Sequence, residues 1–437
     1  MRVHGFFSIL LIGTLLCIGG CTTADEGGGL ENPETPEGIW LLDHIHVLES
    51  ANPESPSDVD LQPLLDQARQ VRIIGMGEAT HGTGPFFASM HRIFRALAAH
   101  ENYRLVILEM NFMPFYQLNQ YVVHDRGSLN EWFTGPYFQE YTDLIEWMHE
   151  ANLNRSENQK LWLLGCDILS YRSHIEDILE MVTEVDSNLL ATLTDLYAEF
   201  QTWTSGFDYH DQAPEAIKKR IRADIREAHE AIIAGKNRLV DGIGEWEYSF
   251  LERAAAVVIQ SEDFFSNVGS PEVRDRYMTD NIQWLIERFG QPKALVYAHN
   301  EHVALRARDD LYGRSYDSIG YFLRQAHGSQ YFCIGQTFYE GTFHTYWGTG
   351  RVGPPLDTSY EFIFEQARRP FFFLNLRGLD TSAEAARWIE GPRPLRHIDE
   401  RFQAGFADED TFNIRSIVAD FDGIVYIRDS TPYRMAW

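Results

Sequence analysis

Two short segments, far apart in the chain, each place ionisable side chains directly after an apolar run. In the first segment, Glu78 and His81 follow the glycine-containing apolar run at 73–77. In the second, the apolar run at 294–298 leads to His299 and, three residues later, to another histidine. General acid–base catalysis uses a carboxylate and an imidazole of this kind. We therefore expect the two segments to contribute to one site.

Two further apolar runs also end in an acidic residue. Leu105–Leu108 leads to Glu109, and Leu161–Leu164 leads to Asp167. Ligands of open α/β sheets bind beyond the carboxyl ends of the strands, so side chains distant in sequence converge there. For Asp167 alone, turn formation is the simpler interpretation, and we add it only as a substrate-binding candidate. The predicted catalytic residues are Glu78, His81, Glu109, His299 and His302.

Two chemistries fit this set of residues. In one, an imidazole deprotonates water, carboxylates fix its tautomer, and other histidines stabilise the developing oxyanion. In the other, the residues hold a metal ion that acidifies the water. The i, i+3 spacing of His299 and His302 lies outside the His-Glu-x-x-His frame of zinc peptidases, whereas Glu78-x-x-His81 leaves a divalent metal open. We predict no cofactor and assign no metal ligands, with a divalent metal at the His/Glu site left open. Gly-x-Ser-x-Gly, P-loop and dinucleotide-binding motifs are absent from the sequence.

The alternation of apolar runs and amphipathic segments predicts the elements that position these residues. Continuous apolar runs indicate a buried central parallel or mixed sheet, flanked by helices in an α/β fold. Strand signals disappear between about 171 and 290, where helical periodicity and mixed charge prevail. We predict a helical insertion there that forms a cap over the sheet. A Gly-rich aromatic segment at 341–350 is either a loop lining the cleft, with Tyr346 and Trp347 contacting substrate, or a surface hairpin.

Composition restricts the partners of the protein. The 437 residues carry a formal net charge of -27, which argues against electrostatic binding of nucleic acid. Beyond the leader only Cys166 and Cys333 remain, both in apolar runs. We expect two buried thiols rather than a disulfide bridge.

The N-terminus has the features of an export signal. Residues 1–20 contain a short basic region and an apolar stretch too short to span a bilayer comfortably, followed by small residues and Cys21. This pattern resembles the lipobox of bacterial lipoproteins, and an ordinary secretory signal peptide is the alternative. We expect a lipid anchor on Cys21, a flexible linker at 21–37 and a catalytic domain at 38–437. The protein would then be an extracytoplasmic envelope lipoprotein, in the outer membrane if the host is Gram-negative.

Several ordered motifs in this chain resemble the erythromycin esterase family. The resemblance covers roughly residues 40 to 430. It rests on Gly77-Glu78-Ala79-Thr80-His81-Gly82-Thr83, His91-Arg92-Ile93-Phe94-Arg95, Leu108-Glu109, Arg274-Asp275-Arg276-Tyr277-Met278 with Asn281 and Trp284, Ala298-His299-Asn300-Glu301-His302-Val303, and Asp422-Gly423-Ile424-Val425-Tyr426-Ile427.

The resemblance implies an α/β core with a helical cap and a metal-independent hydrolysis of esters, including the lactone of macrolide antibiotics. By motif position, His81 would be the general base that activates water, and Glu78 and Glu109 would orient it. His299 and His302 would complete the site. The chain departs from the family at Pro85, where an acidic residue is usual, and at Met90, where a basic residue is frequent. Arg92 lies close to Met90, and we predict that it binds substrate in place of the basic residue that is missing at position 90.

Three functions therefore remain open from the sequence. The first is hydrolysis of a small-molecule ester or lactone by His81-activated water. The second is a metal-dependent, peptidase-like hydrolysis on the same fold. The third is a non-catalytic envelope protein that binds a ligand in the cleft, although such a protein has no evident need for this set of acid–base residues.

Overall fold

The structure, a computed structural model, describes residues 32–133, 138–267, 270–309, 314–398, 402–403 and 408–436. The predicted signal peptide and Cys21 lie outside these residues. The strands are β1 (Ile45–Val47), β2 (Ile73–Glu78), β3 (Tyr103–Asn111), β4 (Trp162–Asp167), β5 (Lys293–His299), β6 (Ala307–Asp309), β7 (Arg314–Tyr316), β8 (Tyr331–Thr345), β9 (Gly348–Val352), β10 (Phe371–Asn375), β11 (Arg393–Arg396), β12 (Phe412–Arg415) and β13 (Gly423–Ser430).

Helices occupy most of the connections between these strands. They are α1 (Pro36–His44), α2 (Gln62–Arg69), α3 (Gly84–His100), α4 (Phe112–Val122), α5 (Leu129–Trp132), α6 (Gln139–Leu153), α7 (Tyr171–Thr183), α8 (Ser187–Gln201), α9 (Gly206–Gln212), α10 (Glu215–Ala234), α11 (Lys236–Ile243), α12 (Glu245–Ser266), α13 (Pro271–Arg288), α14 (Asn300–Val303), α15 (Ile319–His327), α16 (Tyr360–Glu365) and α17 (Ile417–Asp420). Short 3₁₀ turns lie at Val59–Leu61, Glu157–Gln159, Gly328–Gln330, Glu384–Ile389 and Asp408–Thr411.

The central sheet is mixed, as the apolar runs predicted. Its strand order is β1-β10-β13-β8-β2-β5-β3-β4, with β9 paired to β8. The strands from β13 to β4 run parallel, whereas β1, β10 and β9 pair antiparallel to their neighbours. The carboxyl ends of β2, β3, β4 and β5 therefore meet at one edge. All four strand-end positions predicted to carry chemistry lie at this edge.

Both faces of the sheet are covered by helices, which explains why its strands are apolar without interruption. Neighbouring residues of one strand point to opposite faces. Accordingly, Ile73 belongs to one hydrophobic cluster and Ile74 to the other, and the same division separates Val296 from Leu295. The two clusters are the core of the protein, and they hold the strand ends in fixed positions.

The predicted insertion is helical throughout its described residues. Helices α7 to α13 fill the chain between the end of β4 and the start of β5. Ile178, Tyr197 and Ile225 of these helices belong to the same buried cluster as Ile107 and Val296 of the sheet. The insertion therefore shares a core with one face of the sheet.

Several details differ from the sequence expectations or extend them. Helix α1 begins at Pro36, inside the linker predicted at 21–37, because Thr35 Oγ1 accepts the backbone N–H of Gly38 at 3.1 Å and caps the helix. The segment at 341–350 forms the hairpin of β8 and β9. Cys166 and Cys333 are buried and free, as expected. In the ranges given above, no helix has the length and apolar composition needed to cross a membrane.

Candidate active site

The turn after β2 holds a hydrogen-bonded Tyr–Glu–His series. His81 Nδ1 lies 2.8 Å from Glu78 Oε1, and the other Glu78 oxygen accepts a hydrogen bond from the Tyr297 hydroxyl at 2.5 Å. The side chain of Glu78 is 5% exposed and that of His81 is 43% exposed. A carboxylate accepts only, so Nδ1 carries a proton, and in the neutral ring the lone pair is then on Nε2. This is the tautomer that a general base requires.

Close packing fixes the turn that presents His81. The backbone N–H of His344, in β8, donates to the Gly82 carbonyl at 2.8 Å. A Cβ atom on Gly82 would lie 1.8 Å from the His344 carbonyl oxygen, so a larger residue has no room there. The hairpin of β8 and β9 is thus attached to the residue next to His81.

His299 lies between two other imidazole rings. Its ring centroid is 5.2 Å from that of His81 and 4.9 Å from that of His397. Burial, together with the neighbouring His397 and His81, holds the pKa of His299 well below its usual range, so the ring is neutral at pH 7. Its Nδ1 accepts the backbone N–H of Glu301 at 3.3 Å, which leaves the proton on Nε2. Among the described residues, this buried Nε2 has no hydrogen-bond partner.

A buried ionic cluster joins the ends of β3 and β4 to helix α13. Arg274 donates to Glu109 at 2.8 Å and to both oxygens of Asp167 at 3.0 and 2.8 Å. His302 lies 3.1 Å from Glu109 and 2.6 Å from Asp275, using one ring nitrogen for each. Three carboxyl groups therefore face two cationic side chains, and the cluster has an excess of negative charge.

The charges of this cluster stabilise one another. Burial alone would raise the pKa of Glu109, but His302 and Arg274 hold it well below its usual range. Burial alone would lower the pKa of His302, but the carboxylates of Asp275 and Glu109 raise it to about 10. His302 is therefore an imidazolium that donates from both nitrogens. Arg274 Nη1 also lies 3.2 Å from His302 Nε2. Since both groups are donors, we interpret this approach as packing around their shared acceptor, Glu109.

The cluster also positions His299. The second oxygen of Glu109 accepts the backbone N–H of His299 at 3.0 Å. Glu109 thus connects the ionic cluster to the end of β5, and β5 pairs in register with β2 so that His299 is opposite Glu78. The predicted residues Glu78, His81, Glu109, Asp167, His299 and His302 all lie in this connected region.

The structure does not bring the other three predicted substrate-binding residues into the cluster. Arg92 is buried, and its guanidinium pairs with Asp60 at 2.6 and 2.8 Å and donates to nearby backbone carbonyls. Tyr346 and Trp347 lie at the tip of the hairpin, 82% and 66% exposed. They connect to the site only through the hairpin strand that contacts Gly82.

Sequence reasoning did not assign four residues that the structure places in or against the site: Tyr297, Arg274, Asp275 and His397. Tyr297 occupies a strand position where an aromatic residue is unremarkable. Arg274 and Asp275 were visible only as part of a family-like motif in a helical segment. His397 follows a four-residue strand and gave no signal in the sequence.

A cleft of about 390 Å³ opens beside the ionic cluster. Glu109 and Asp167 line it from the sheet, and Arg172, Phe207 and Phe265 line it from the helical insertion. The insertion therefore forms one wall of a space next to the site, which is the position expected of a cap. Across the described chain, no three or more His, Cys, Asp or Glu side chains are arranged to hold a metal ion.

Comparison with known proteins places this chain in a family. The profile of the family described as Erythromycin esterase matches residues 98–430. The chain belongs to the erythromycin esterase family. The match contains Glu109, His299 and His302, and it begins after Glu78 and His81.

Individual relatives are similar at low sequence identity. The erythromycin esterase type II of Escherichia coli is 23% identical over 351 residues, which covers 74% of this chain and 80% of that protein. A Bacillus cereus protein of known crystal structure has a TM-score of 0.77 at 23% identity, covering 93% of this chain and 100% of that one. A mutant of the erythromycin esterase EreC in its open conformation has a TM-score of 0.67 at 15% identity, covering 89% and 98%. The solved structures share the fold of this protein.

Proposed function

We propose that this protein is an esterase that hydrolyses a carboxylic ester or lactone with water activated by His81. The observation that carries the proposal is the series Tyr297–Glu78–His81 beside His299, a neutral imidazole whose Nε2 proton has no partner in the described structure. Membership of the erythromycin esterase family supports it.

His81 is the general base in this mechanism. Nε2 takes a proton from water as the water oxygen attacks the carbonyl carbon, and Glu78 stabilises the imidazolium that forms. The Tyr297 hydroxyl fixes the second oxygen of Glu78, which keeps the carboxylate aligned with His81. The excess negative charge around Glu109 further favours a positive charge on His81.

His299 is the oxyanion donor. Its Nε2–H group donates a hydrogen bond to the carbonyl oxygen and stabilises the negative charge that develops there. The imidazole ring is neutral, so it can donate this hydrogen bond without a change in its protonation state. The Nε2 atom is covered in this structure. We propose that a local movement near His299 exposes this atom to the substrate carbonyl. His302 and Arg274 act as positioning residues because their side chains are committed to buried carboxylates.

We propose that the cleft beside the cluster binds the part of the substrate away from the reacting bond, with Asp167 and Phe207 in its walls. Macrolide lactones are the first substrates to test because relatives of the chain are named erythromycin esterases. Pro85 and Met90 replace residues that are usual in the family, so we expect a preference that differs from that of these relatives. Tyr346 and Trp347 remain candidates for contacts at the outer edge of the site.

We also propose that Cys21 is lipidated and anchors the protein to the cell envelope. The leader pattern before Cys21 supports this proposal. Metabolic labelling with a tritiated fatty acid would test it, with Cys21→Ser as the control. Label on the wild-type protein that is absent from the variant is the expected result, and unlabelled protein would contradict the anchor.

The esterase proposal is tested by mass spectrometry of erythromycin and a panel of lactones and simple esters incubated with the purified protein. We expect addition of one water to at least one substrate, with the same rate before and after treatment with a chelator. A rate that is lost with chelator and restored by a divalent metal would favour the metallohydrolase alternative. Ligand binding without turnover would favour the non-catalytic alternative.

A further inference from the structure

His397 is a second ionisable group in contact with the proposed oxyanion donor. Its ring packs edge-on against His299, with 4.9 Å between ring centroids and an interplanar angle of 84°. The side chain is 23% exposed, so it is accessible without a change in the fold. His299 therefore packs against both His81 and His397.

The backbone around His397 is attached to the catalytic turn. The N–H of Ile398 donates to the carbonyl of Ala79 at 2.8 Å, and Ala79 lies between Glu78 and His81. The N–H of His397 donates to Thr411 at 2.8 Å. These bonds fix the position of His397 relative to His81, although more than 300 residues separate them in sequence.

A fixed carboxylate lies beside His397. Its Nδ1 lies 3.6 Å from Glu301 Oε1, within ion-pair range, and has no hydrogen-bond partner among the described residues. Arg415, at 2.7 Å, and Asn413, at 3.0 Å, hold the Glu301 carboxylate in place. A general acid at this position needs a proton on Nε2, and an imidazolium carries a proton on each nitrogen.

His302 and Tyr297, two other proton-bearing groups of the site, already donate to carboxylates. Both nitrogens of His302 face carboxylates, and the Tyr297 hydroxyl donates to Glu78. Ester cleavage releases an alkoxide, which leaves slowly unless it is protonated. A general acid near the oxyanion donor would accelerate this step.

Building on the proposed esterase function, we propose that His397 is a catalytic residue, the general acid that protonates the leaving alcohol. Water adds to the carbonyl carbon and gives one proton to His81. The tetrahedral intermediate then collapses, the carbon–oxygen bond to the alcohol breaks, and the alkoxide takes a proton from His397 Nε2. The site returns to its starting state when His81 releases its proton and His397 regains one through solvent.

The dependence of rate on the leaving group tests this role. p-Nitrophenyl acetate and benzyl acetate share an acyl group, but only the benzyl alkoxide needs protonation to leave. We expect His397→Gln to lower kcat/KM for benzyl acetate by about 10²–10⁴-fold and to change that for p-nitrophenyl acetate by no more than about threefold. His149→Gln is the matched control. His149 also pairs with a carboxylate, Asp125, and stacks on an aromatic ring, but it belongs to α6 and packs against Tyr121 of α4.

A second variant separates chemistry from folding. In His397→Gly, added imidazole should restore benzyl acetate turnover, and a purely structural role would not respond to it. Equal losses on the two esters, no loss on either, or no rescue would overturn the role of His397. A wild-type enzyme that hydrolyses p-nitrophenyl acetate but not benzyl acetate would also overturn the role of His397. Turnover of neither ester, nor of any member of the panel described above, would instead overturn the esterase function, and the role of His397 with it.

Discussion

Replacement of Glu78 by glutamine removes the negative charge beside His81 and keeps the shape of the side chain. In the proposed mechanism His81 is neutral before the reaction, and proton abstraction from water makes it an imidazolium 2.8 Å from Glu78. The charge of Glu78 therefore acts mainly on the transition state. We expect Glu78→Gln to lower kcat with a small effect on KM.

The magnitude follows from the geometry. Opposite unit charges 2.8 Å apart attract by about 6 kcal/mol at an effective dielectric constant of about 20, and by about 1.5 kcal/mol in bulk water. Glu78 is buried but His81 is 43% exposed, so the effective value lies between these limits. At about 1.4 kcal/mol for each factor of ten, we expect kcat to fall by about 10²–10³-fold.

The assay is steady-state hydrolysis of the best ester in the panel at neutral pH. Glu101→Gln is the matched control because Glu101 is also buried and paired, with Arg69 and Lys293, but precedes β3 at the opposite end of the sheet. A kcat for Glu78→Gln within about threefold of wild type would refute the proposed interaction with the transition state. An equal loss in Glu101→Gln would refute its specificity.

Three further predictions concern the buried cluster and the cap. The pKa of His302 is raised from 6.5 to about 10, so between these pH values the folded state binds more protons than the unfolded state. The free energy of unfolding should therefore fall by roughly 3–5 kcal/mol as pH rises from 6.5 through 10. Urea titrations should show this decline in the wild type and not in His302→Gln. Arg274→Ala leaves Glu109 and Asp167 buried without their cation, and the free energy of unfolding in urea should drop by about 3–5 kcal/mol. Phe207→Ala removes an exposed aromatic ring from the cleft wall, so KM for bulky apolar esters should rise about tenfold while kcat/KM for p-nitrophenyl acetate stays constant.

Each of these predictions has a control and a contrary outcome. Arg276→Ala removes a surface pair with Glu272 on the same helix and should cost at most about 0.5 kcal/mol, so an equal loss for Arg274→Ala would contradict the buried-cluster account. Ile233→Ala removes an exposed side chain elsewhere on the insertion, and it should leave ester preference unchanged. An unchanged preference in Phe207→Ala would argue against a cap that selects substrates. A flat pH profile of wild-type stability would contradict the charge assigned to His302.

The sequence predicted the strand ends well for a physical reason. A strand buried on both faces must be continuously apolar, so an ionisable residue directly after such a run marks the strand end and the edge where ligands bind. This reasoning placed Glu78, Glu109, Asp167 and His299 in one region. In the structure Glu78 lies opposite His299, Glu109 accepts the backbone N–H of His299, and Arg274 donates to both Glu109 and Asp167. It also predicted the mixed sheet and the helical segment between β4 and β5.

The remainder depended on contacts that a periodic pattern does not encode. Arg274 reaches Asp167 from a helix 107 positions later in the chain. His397 follows a short strand whose pairing with β12 has no distinct apolar pattern. Arg92 illustrates the converse problem. Its position two residues after Met90, where the family frequently has a basic residue, suggested a ligand contact, whereas the tertiary structure supplies Asp60 as its partner. Local sequence does not distinguish a buried arginine with a partner from one that faces a ligand.

The most direct test of the proposed function is the hydrolysis rate of His81→Ala beside that of wild type and of His100→Ala, a surface histidine paired with Asp58. The mechanism predicts that His81→Ala loses about 10³-fold or more in kcat on every ester that the wild type accepts, while His100→Ala retains full activity. A His81→Ala enzyme that hydrolyses these esters at a rate close to that of the wild type would contradict it.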